Sequence, residues 1–299
     1  MSAQHRSSTA PRVSVGMPVF NSRRWIEEAV GSILAQTFSD FELIISDNAS
    51  SDDTVAICER LAAQDPRIIL LRNPTNLGAN RNYLATLAAA RGTYFKWASS
   101  NDFCAPAFLE QCVKALDADP QAVLVCPRTA LFESSTLQAE PYDRDTELLD
   151  ANPGERFVRL FTSMALNNAM NGLMRRQALT SLASMGSFSG ADIVFMAELA
   201  LKGKFLVHPE RLFFRRMSRE AATKLKSPRE AERHLVPDAR GPLQWQSWRF
   251  HLGLLRASRS VPVLSRDWFH VINHGLRALV WSRRALADDA VNALRQAVS

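Results

Sequence analysis

Five short apolar runs, separated by helix-patterned stretches, constrain the fold of this chain more than any other feature. VSVGMPVF (13–20), FELIIS (41–46), RIILLR (67–72), TYFKWA (93–98) and AVLVCP (122–127) are rich in β-branched and aromatic residues, the pattern of buried strands. Between the first two, Ile26, Ala29, Val30, Ile33 and Leu34 repeat as the apolar stripe of an amphipathic helix, with Asn21 and Ser22 ahead of it as caps. Asp52 and Asp53 open a second helix reaching Gln64, where carboxylates meet the positive end of the helix dipole. An alanine-rich helix follows NPTNLGAN and stops at Gly92, and a fourth spans Pro106–Ala118. Strands spaced by helices imply crossover connections, hence an α/β fold whose mixed, mainly parallel sheet is flanked by helices on both faces.

In such sheets ligands bind beyond the carboxyl ends of the strands. Three polar clusters fall there: Pro18–Asn21, Asp47–Asp53 and Ser99–Asp102. By themselves they say only that the protein has a crevice. Beyond residue 128 the pattern loosens. Residues 128–152 show no period and are expected to form a long excursion. NGLMRR (171–176) and RLFFRR (211–216) are strand-like, and ADIVFMAELALKGKF (191–205) is helical with Gly203 as its stop. After Pro228 the chain turns helical and aromatic, with Trp245, Trp248, Trp268 and Trp281 among many arginines.

The 299 residues suffice for one large α/β domain with an appendage. The net charge of +6 hides an asymmetry: residues 1–150 carry 13 Lys+Arg and 19 Asp+Glu, whereas residues 151–299 carry 23 and 11. A basic second half fits either a solvated surface or an anionic partner such as phosphate groups, a polyanionic acceptor or a membrane. The four cysteines, 58, 104, 112 and 126, have no CxxC spacing, which argues against a zinc site or disulfide framework and for a reducing cytoplasm. No apolar stretch approaches the length of a membrane span, and the N-terminus has no apolar core of a secretory signal. GMPVFN lacks the glycines of a dinucleotide-binding turn, and the basic residues form no recognisable nucleic-acid module, so no nucleic-acid partner is expected.

Taken in order, VSVGMPVFN, ELIISDNASSDDT, NLGANRN, YFKWASSND and SGADIVFMAELALKGKF resemble the successive motifs of the family 2 glycosyltransferases, inverting enzymes of the GT-A fold. The resemblance covers roughly residues 12–216. It implies a catalytic domain over 12–227 (nucleotide-binding half 12–127, acceptor half 128–227); the residues outside it read as a flexible tail over 1–11 and a helical basic C-terminal region over 228–299. It also implies transfer of a sugar from a nucleotide donor, a UDP-sugar, to a hydroxyl of a glycan or lipid-linked acceptor in envelope or exopolysaccharide synthesis.

Matched position by position, Asp192 corresponds to the family's catalytic base, since Ala191 stands where a glutamate is usual. Pro18, Val19, Asn21, Asp47, Asn48, Arg81, Ser99, Ser100, Asn101 and Arg215 make up the expected nucleotide-sugar site, with Asp47 on the base and Arg81 suited to a diphosphate. YFKWASSND departs from the acidic metal motif, with Ser99 and Asn101 in acidic positions and Asp102 following. Asn101 and Asp102 are therefore the candidate ligands of a Mn²⁺ or Mg²⁺ ion that is weakly held or dispensable. The competing reading is a nucleotide-sugar-binding or scaffolding protein without turnover. In the tail, Trp245, Trp248, Leu252 and Leu255 lie at helical spacing beside Arg249 and Arg256. That stripe fits a helix packed on the catalytic domain, or a basic amphipathic helix lying peripherally on the inner face of the cell membrane.

Overall fold

The structure is a computed structural model that describes residues 10–182, 185–217, 234–237, 245–262 and 264–298, with side chains to Ala293. Residues 1–9 of the expected tail and most of 218–244 lie outside the described residues.

The apolar runs become strands β1 (Val13–Val19), β2 (Phe41–Asp47), β3 (Ile68–Arg72) and β4 (Tyr94–Trp97), then, after the two-residue β5 (Phe103–Cys104), β6 (Ala122–Phe132). Helices α1 (Ile26–Leu34), α2 (Thr54–Gln64), α3 (Ala79–Ala89) and α4 (Phe108–Ala118) alternate with them. There follow β7 (Glu140–Tyr142), α5 (Pro153–Ser163), β8 (Leu173–Arg175), α6 (Arg176–Thr180), α7 (Ala191–Lys202) and β9 (Lys204–Arg216). The C-terminal region adds α8 (Gln246–Arg256), α9 (Arg266–Trp281) and α10 (Arg283–Val298).

One sheet runs in the order β3-β2-β1-β4-β8-β6-β9-β5, with β7 paired to β6. The β3-β2-β1-β4 portion is parallel, as is the β6/β9 pair, while β8, β5 and β7 pair antiparallel with their neighbours. The chain moves outward from β1 to β2 and β3, then crosses back to β4 on the other side of β1. The loops leaving β1, β2 and β4 meet at the carboxyl ends of these strands, where Asn21 N donates to Ser50 Oγ at 2.9 Å and Ser100 Oγ to Ser22 Oγ at 2.9 Å, the edge at which such sheets bind ligands. Every residue of β1 and β2 except Pro18 is buried, because both faces of the sheet are covered. Ile26, Ala29, Val30 and Ile33 of α1 pack with Phe108 and Leu116 of α4 on one face; Phe195, Met196 and Leu199 of α7 pack with Phe157 of α5 on the other.

The segment 128–152 departs from expectation. Residues 128–132 continue β6, since Thr129–Phe132 find parallel partners at Phe213–Arg216 of β9 and Thr129–Leu131 antiparallel partners at Glu140–Tyr142 of β7. The RLFFRR run is the second half of β9, which begins at Lys204 because its whole length is flanked by β6. Helix α5 also escapes the periodicity argument, although its start is marked: Asn152 Oδ1 accepts from Glu155 N at 3.0 Å, and Pro153 occupies the first turn.

The C-terminal helices pack on this body. Asp267 Oδ1 accepts from Gly154 N at 3.0 Å, and His274 stacks on Phe161 at 4.6 Å between ring centroids. In α8, Trp248 donates through Nε1 to Leu286 O at 3.0 Å, and the side chain of Leu255 covers Gly275. The packed-helix alternative thus holds for Trp248 and Leu255, while Trp245 and Leu252 remain exposed. No helix among the described residues is long and apolar enough to cross a membrane. All four cysteines are free thiols and buried.

Candidate active site

The carboxyl end of β2 carries the most constrained part of the crevice. Asp47 is buried, and its Oδ2 accepts from Ser50 N at 3.1 Å. Its Oδ1 is also buried, yet has no hydrogen-bond partner among the described residues. Buried acceptors are rarely left unpaired without a reason. The arrangement leaves a single carboxylate oxygen without a partner at the end of β2 that borders the crevice. Val19 lies beside Asp47 in register across β1, with Pro18 one residue earlier, so these three share one wall.

Asn48 and Asn21 serve the frame of this wall. Asn48 Oδ1 accepts from Leu77 N at 2.8 Å and its Nδ2 donates to Asn76 Oδ1 at 2.7 Å, which clasps the loop before α3 onto β2. Asn21 adopts a positive φ of 49°, a region asparagine tolerates, and its Oδ1 accepts from Ser51 N at 2.9 Å. Gly78 fits the close approach that its place before α3 suggests. It has φ 84°, and a Cβ there would lie 2.1 Å from Leu235 O. Arg81, three residues on, is exposed and has no hydrogen bond or ion pair among the described residues.

The loop after β4 is knitted to both sides of the crevice. Ser100 Oγ donates to Ser22 Oγ at 2.9 Å, joining it to the loop after β1. Ser99 Oγ donates to Asn101 Oδ1. Asp102 Oδ1 accepts from Arg216 N at 2.9 Å. Burial pushes the Asp102 carboxyl up to about 6, against the pull of that amide and of Arg215, Lys96 and Arg216. Arg216 anchors the loop from beneath: Nε donates to Asn101 O at 2.9 Å, NH1 to Glu133 O at 3.0 Å, and the guanidinium pairs with Glu28 while lying over the Trp25 and Phe132 rings.

Asp192 stands in the first turn of α7, behind Gly190 in the left-handed conformation (φ 78°). Asn167 Nδ2 donates to its Oδ2 at 2.9 Å. Next in sequence, Asn168 Oδ1 accepts from Arg215 NH1 at 2.7 Å and its Nδ2 donates to Asp145 Oδ1 at 2.9 Å. One turn at Asn167–Asn168 therefore holds both the carboxylate of α7 and the arginine of β9. Because successive strand residues face opposite ways, Arg215 reaches this turn while Arg216 is committed to the interior.

Tyr83 of α3 lies within the electrostatic reach of these groups. Its hydroxyl is pushed up to about 12, first by burial, then by the negative charges of Asp102 and Asp192, with Arg215 opposing. The charges of the β4 loop, α7 and β9 are thus all felt at this hydroxyl. Tyr83 packs against Trp97 with ring centroids 6.0 Å apart, and Trp97 donates through Nε1 to Tyr83 O at 3.1 Å.

The donor set for a cation is poor. Asp102 is a single carboxylate with Lys96, Arg215 and Arg216 all acting on it, and Asn101 has its amide oxygen engaged by Ser99. No three His, Cys, Asp or Glu side chains come together as a metal-ligand group among the described residues. A hard divalent ion asks for several oxygens and negative charge. These residues do not fit a resident Mn²⁺ or Mg²⁺, and the positive charge beside the crevice comes from arginine and lysine.

Tyr83, Asn82, Asn167 and Asn168 are missed by reading the sequence. Asn82 is buried and bonds Ser46 O at 2.9 Å through Nδ2, while its Oδ1 accepts from Ser46 Oγ at 2.7 Å and Asn73 Nδ2 at 2.9 Å, pinning α3 to β2. The only available signal is an asparagine beside the motif arginine at 81. For Asn167 and Asn168 there is none, since their meaning lies in partners 25 and 47 residues away.

Residues 14–182, more than half of the chain, match the model of Glycosyl transferase family 2. An uncharacterized protein of Mycobacterium tuberculosis (strain CDC 1551 / Oshkosh) is 27% identical over 248 residues, spanning 79% of this chain and 75% of that one. The chondroitin synthase of Pasteurella multocida (strain Pm70) is 32% identical over 104 residues, which are 35% of this chain but 11% of that enzyme. Among solved structures, residues 1–349 of S. aureus TarS in complex with UDP-GlcNAc superpose with a TM-score of 0.62 at 14% identity, covering 90% of this chain and 72% of that one. At that identity the likeness speaks for the fold.

Proposed function

This chain belongs to the family 2 glycosyltransferases and has their GT-A type fold, and we propose that it moves a sugar from a UDP-sugar to a hydroxyl of a glycan or lipid-linked acceptor, inverting the anomeric centre. The observation that carries the donor reading is the buried, unpartnered Oδ1 of Asp47 at the carboxyl end of β2. Uracil offers one N–H, at N3, to a neighbouring acceptor. Guanine offers two adjacent donors, but here Ser50 N already occupies the second carboxylate oxygen. A single free oxygen suits uracil or thymine. The TarS structure, which holds UDP-GlcNAc in the same fold, supports the choice of UDP.

In the transfer step the acceptor oxygen attacks the anomeric carbon, the bond to the leaving diphosphate breaks, and Asp192 takes the hydroxyl proton. Asn167 orients Asp192 through one carboxylate oxygen and leaves the other for that proton. Arg215, steadied by Asn168, meets the charge developing on the diphosphate, where a planar guanidinium can engage two phosphate oxygens. Arg81, exposed at the start of α3, is available to the same group on donor binding. The chondroitin synthase relative supports a glycan acceptor, in envelope or exopolysaccharide synthesis. A cytoplasmic enzyme is consistent with its four buried free thiols.

Calorimetric titration with UDP, dTDP and GDP, each with and without Mn²⁺, tests the donor reading. The expected result is UDP binding that changes little with Mn²⁺; preference for GDP would refute the base assignment. Asp192→Asn should bind UDP as the parent does and lose transfer at least ~100-fold, the scale of general-base catalysis. A variant with undiminished transfer would show that another group is the base.

A further inference from the structure

Helix α9 is buried on one side and carries large apolar residues on the other, with Asn273 as the polar residue among them. Val271 and Gly275 face the interior, and His274 stacks on α5. On the opposite side Phe269, Leu276 and Val280 recur at helical spacing, 55%, 52% and 62% exposed, and Trp281 ends the helix at 67%. A helix packed on a globular body carries polar residues on its outer side. Four large apolar side chains, each more than half exposed along one helix, mark an interaction surface.

Cations frame this ridge. Arg277, Arg283 and Arg284 are exposed, and the Arg277 guanidinium lies over the Trp281 ring at 5.8 Å. The one acid of α9, Asp267, points into the fold, where it accepts from Gly154 N. Of the two acids of α10, Asp289 accepts from Ser247 N, so Asp288 alone is exposed beside the arginines.

We propose that this face docks on an anionic lipid bilayer, with Phe269, Leu276, Val280 and Trp281 at the boundary of headgroups and acyl chains and the arginines on lipid phosphates. Aromatic and aliphatic side chains flanked by arginine are the composition that settles at that depth. Pairing with a second copy of the chain is disfavoured by charge. A two-fold contact brings the same patch onto itself, so the arginines of each copy would face like charges. The surface lies on α9, not on the α8 stripe for which the sequence allowed either a packed helix or a membrane face, because Trp248 and Leu255 of that stripe are spent on internal packing. The inference stands without the nucleotide-sugar reading.

Co-sedimentation of the full chain with vesicles of phosphatidylcholine alone, or with about one third phosphatidylglycerol, tests it. Binding should be at least ~10-fold stronger to the anionic vesicles and fall with added salt. Arg277→Ala with Arg283→Ala should weaken it about 25-fold, from about fivefold per arginine near a charged surface. Phe269→Ser with Trp281→Ser should weaken it at least as much, while thermal unfolding of both variants matches the parent because the sites are exposed. Equal binding to both vesicle types, no binding, or binding untouched by these substitutions would overturn the proposal. So would a concentration-dependent dimer that the same substitutions dissolve. UDP calorimetry on the same variants separates a failure of this surface from a failure of the donor site.

Discussion

Replacing Asp47 by asparagine tests the donor site at a single atom. The change is isosteric, and the new amide oxygen can keep the bond from Ser50 N, now 3.1 Å from Oδ2. That orientation turns an N–H₂ into the crevice where the unpartnered Oδ1 stands. Uracil N3–H would then meet a donor instead of a carboxylate. A hydrogen bond to a charged group contributes about 1.5–3 kcal/mol, so UDP affinity should fall about 10- to 150-fold at about 1.4 kcal/mol per decade. Cytosine reverses the pattern, because its N3 is an acceptor. CDP should therefore gain on the variant, and the ratio of UDP to CDP affinity should drop by more than the loss for UDP alone. Calorimetry with both nucleotides, on parent and variant, reads this directly. A UDP affinity that changes less than ~3-fold, a change of about half a decade, or an unchanged UDP/CDP ratio would refute the assignment of Asp47 Oδ1 to the base.

Three further outcomes are expected. Arg216→Met should destabilise the protein by about 3 kcal/mol in urea unfolding, since it strips the carbonyls of Asn101 and Glu133 of their donor; the loss stays moderate because Glu28, 42% exposed, can be rehydrated. Asn167→Ala should lower kcat about tenfold while leaving UDP affinity within about twofold, as expected from losing one orienting hydrogen bond; an equal loss in UDP affinity would show that Asn167 acts on donor binding instead. The His274 imidazole is held below its usual value by burial and then by Arg277, so the fold favours its neutral form. Its stabilising contribution is complete above the unfolded value near 6.5 and is lost as pH falls through the lower folded value. His274→Phe, which keeps the stack on Phe161, should flatten that loss of stability below about pH 6.5.

The alternation of apolar runs and amphipathic stripes specified β1–β4, β6 and α1–α4, because these elements bury their pattern locally and need no distant partner to declare their type. The same text placed Asp47, Ser99–Asp102 and Asp192 at element ends, where an α/β sheet gathers its ligands. What the sequence could not say was which polar groups would meet. Asn167 and Asn168 acquire a role only because β9 and α7 bring Arg215 and Asp192 to one turn. Arg215 and Arg216 are identical letters, separated in role by the two-residue repeat of a strand and by the rings of Trp25 and Phe132 that receive one of them. Asn48, expected toward the ligand, has both ends of its carboxamide bonded within the fold and has little left to offer a nucleotide, while Asn21 holds the loop after β2 through its Oδ1 alone. The C-terminal aromatic stripe showed the same division. Periodicity identified α8 as amphipathic and marked the rest of the tail only as helical and aromatic, but burial against α7, α5 and α10 decided which aromatic residues became core and which were left facing water. A hydrophobic side chain gains by leaving water whether it enters a protein interior or a lipid surface, and only the tertiary structure determines which of the two is within reach.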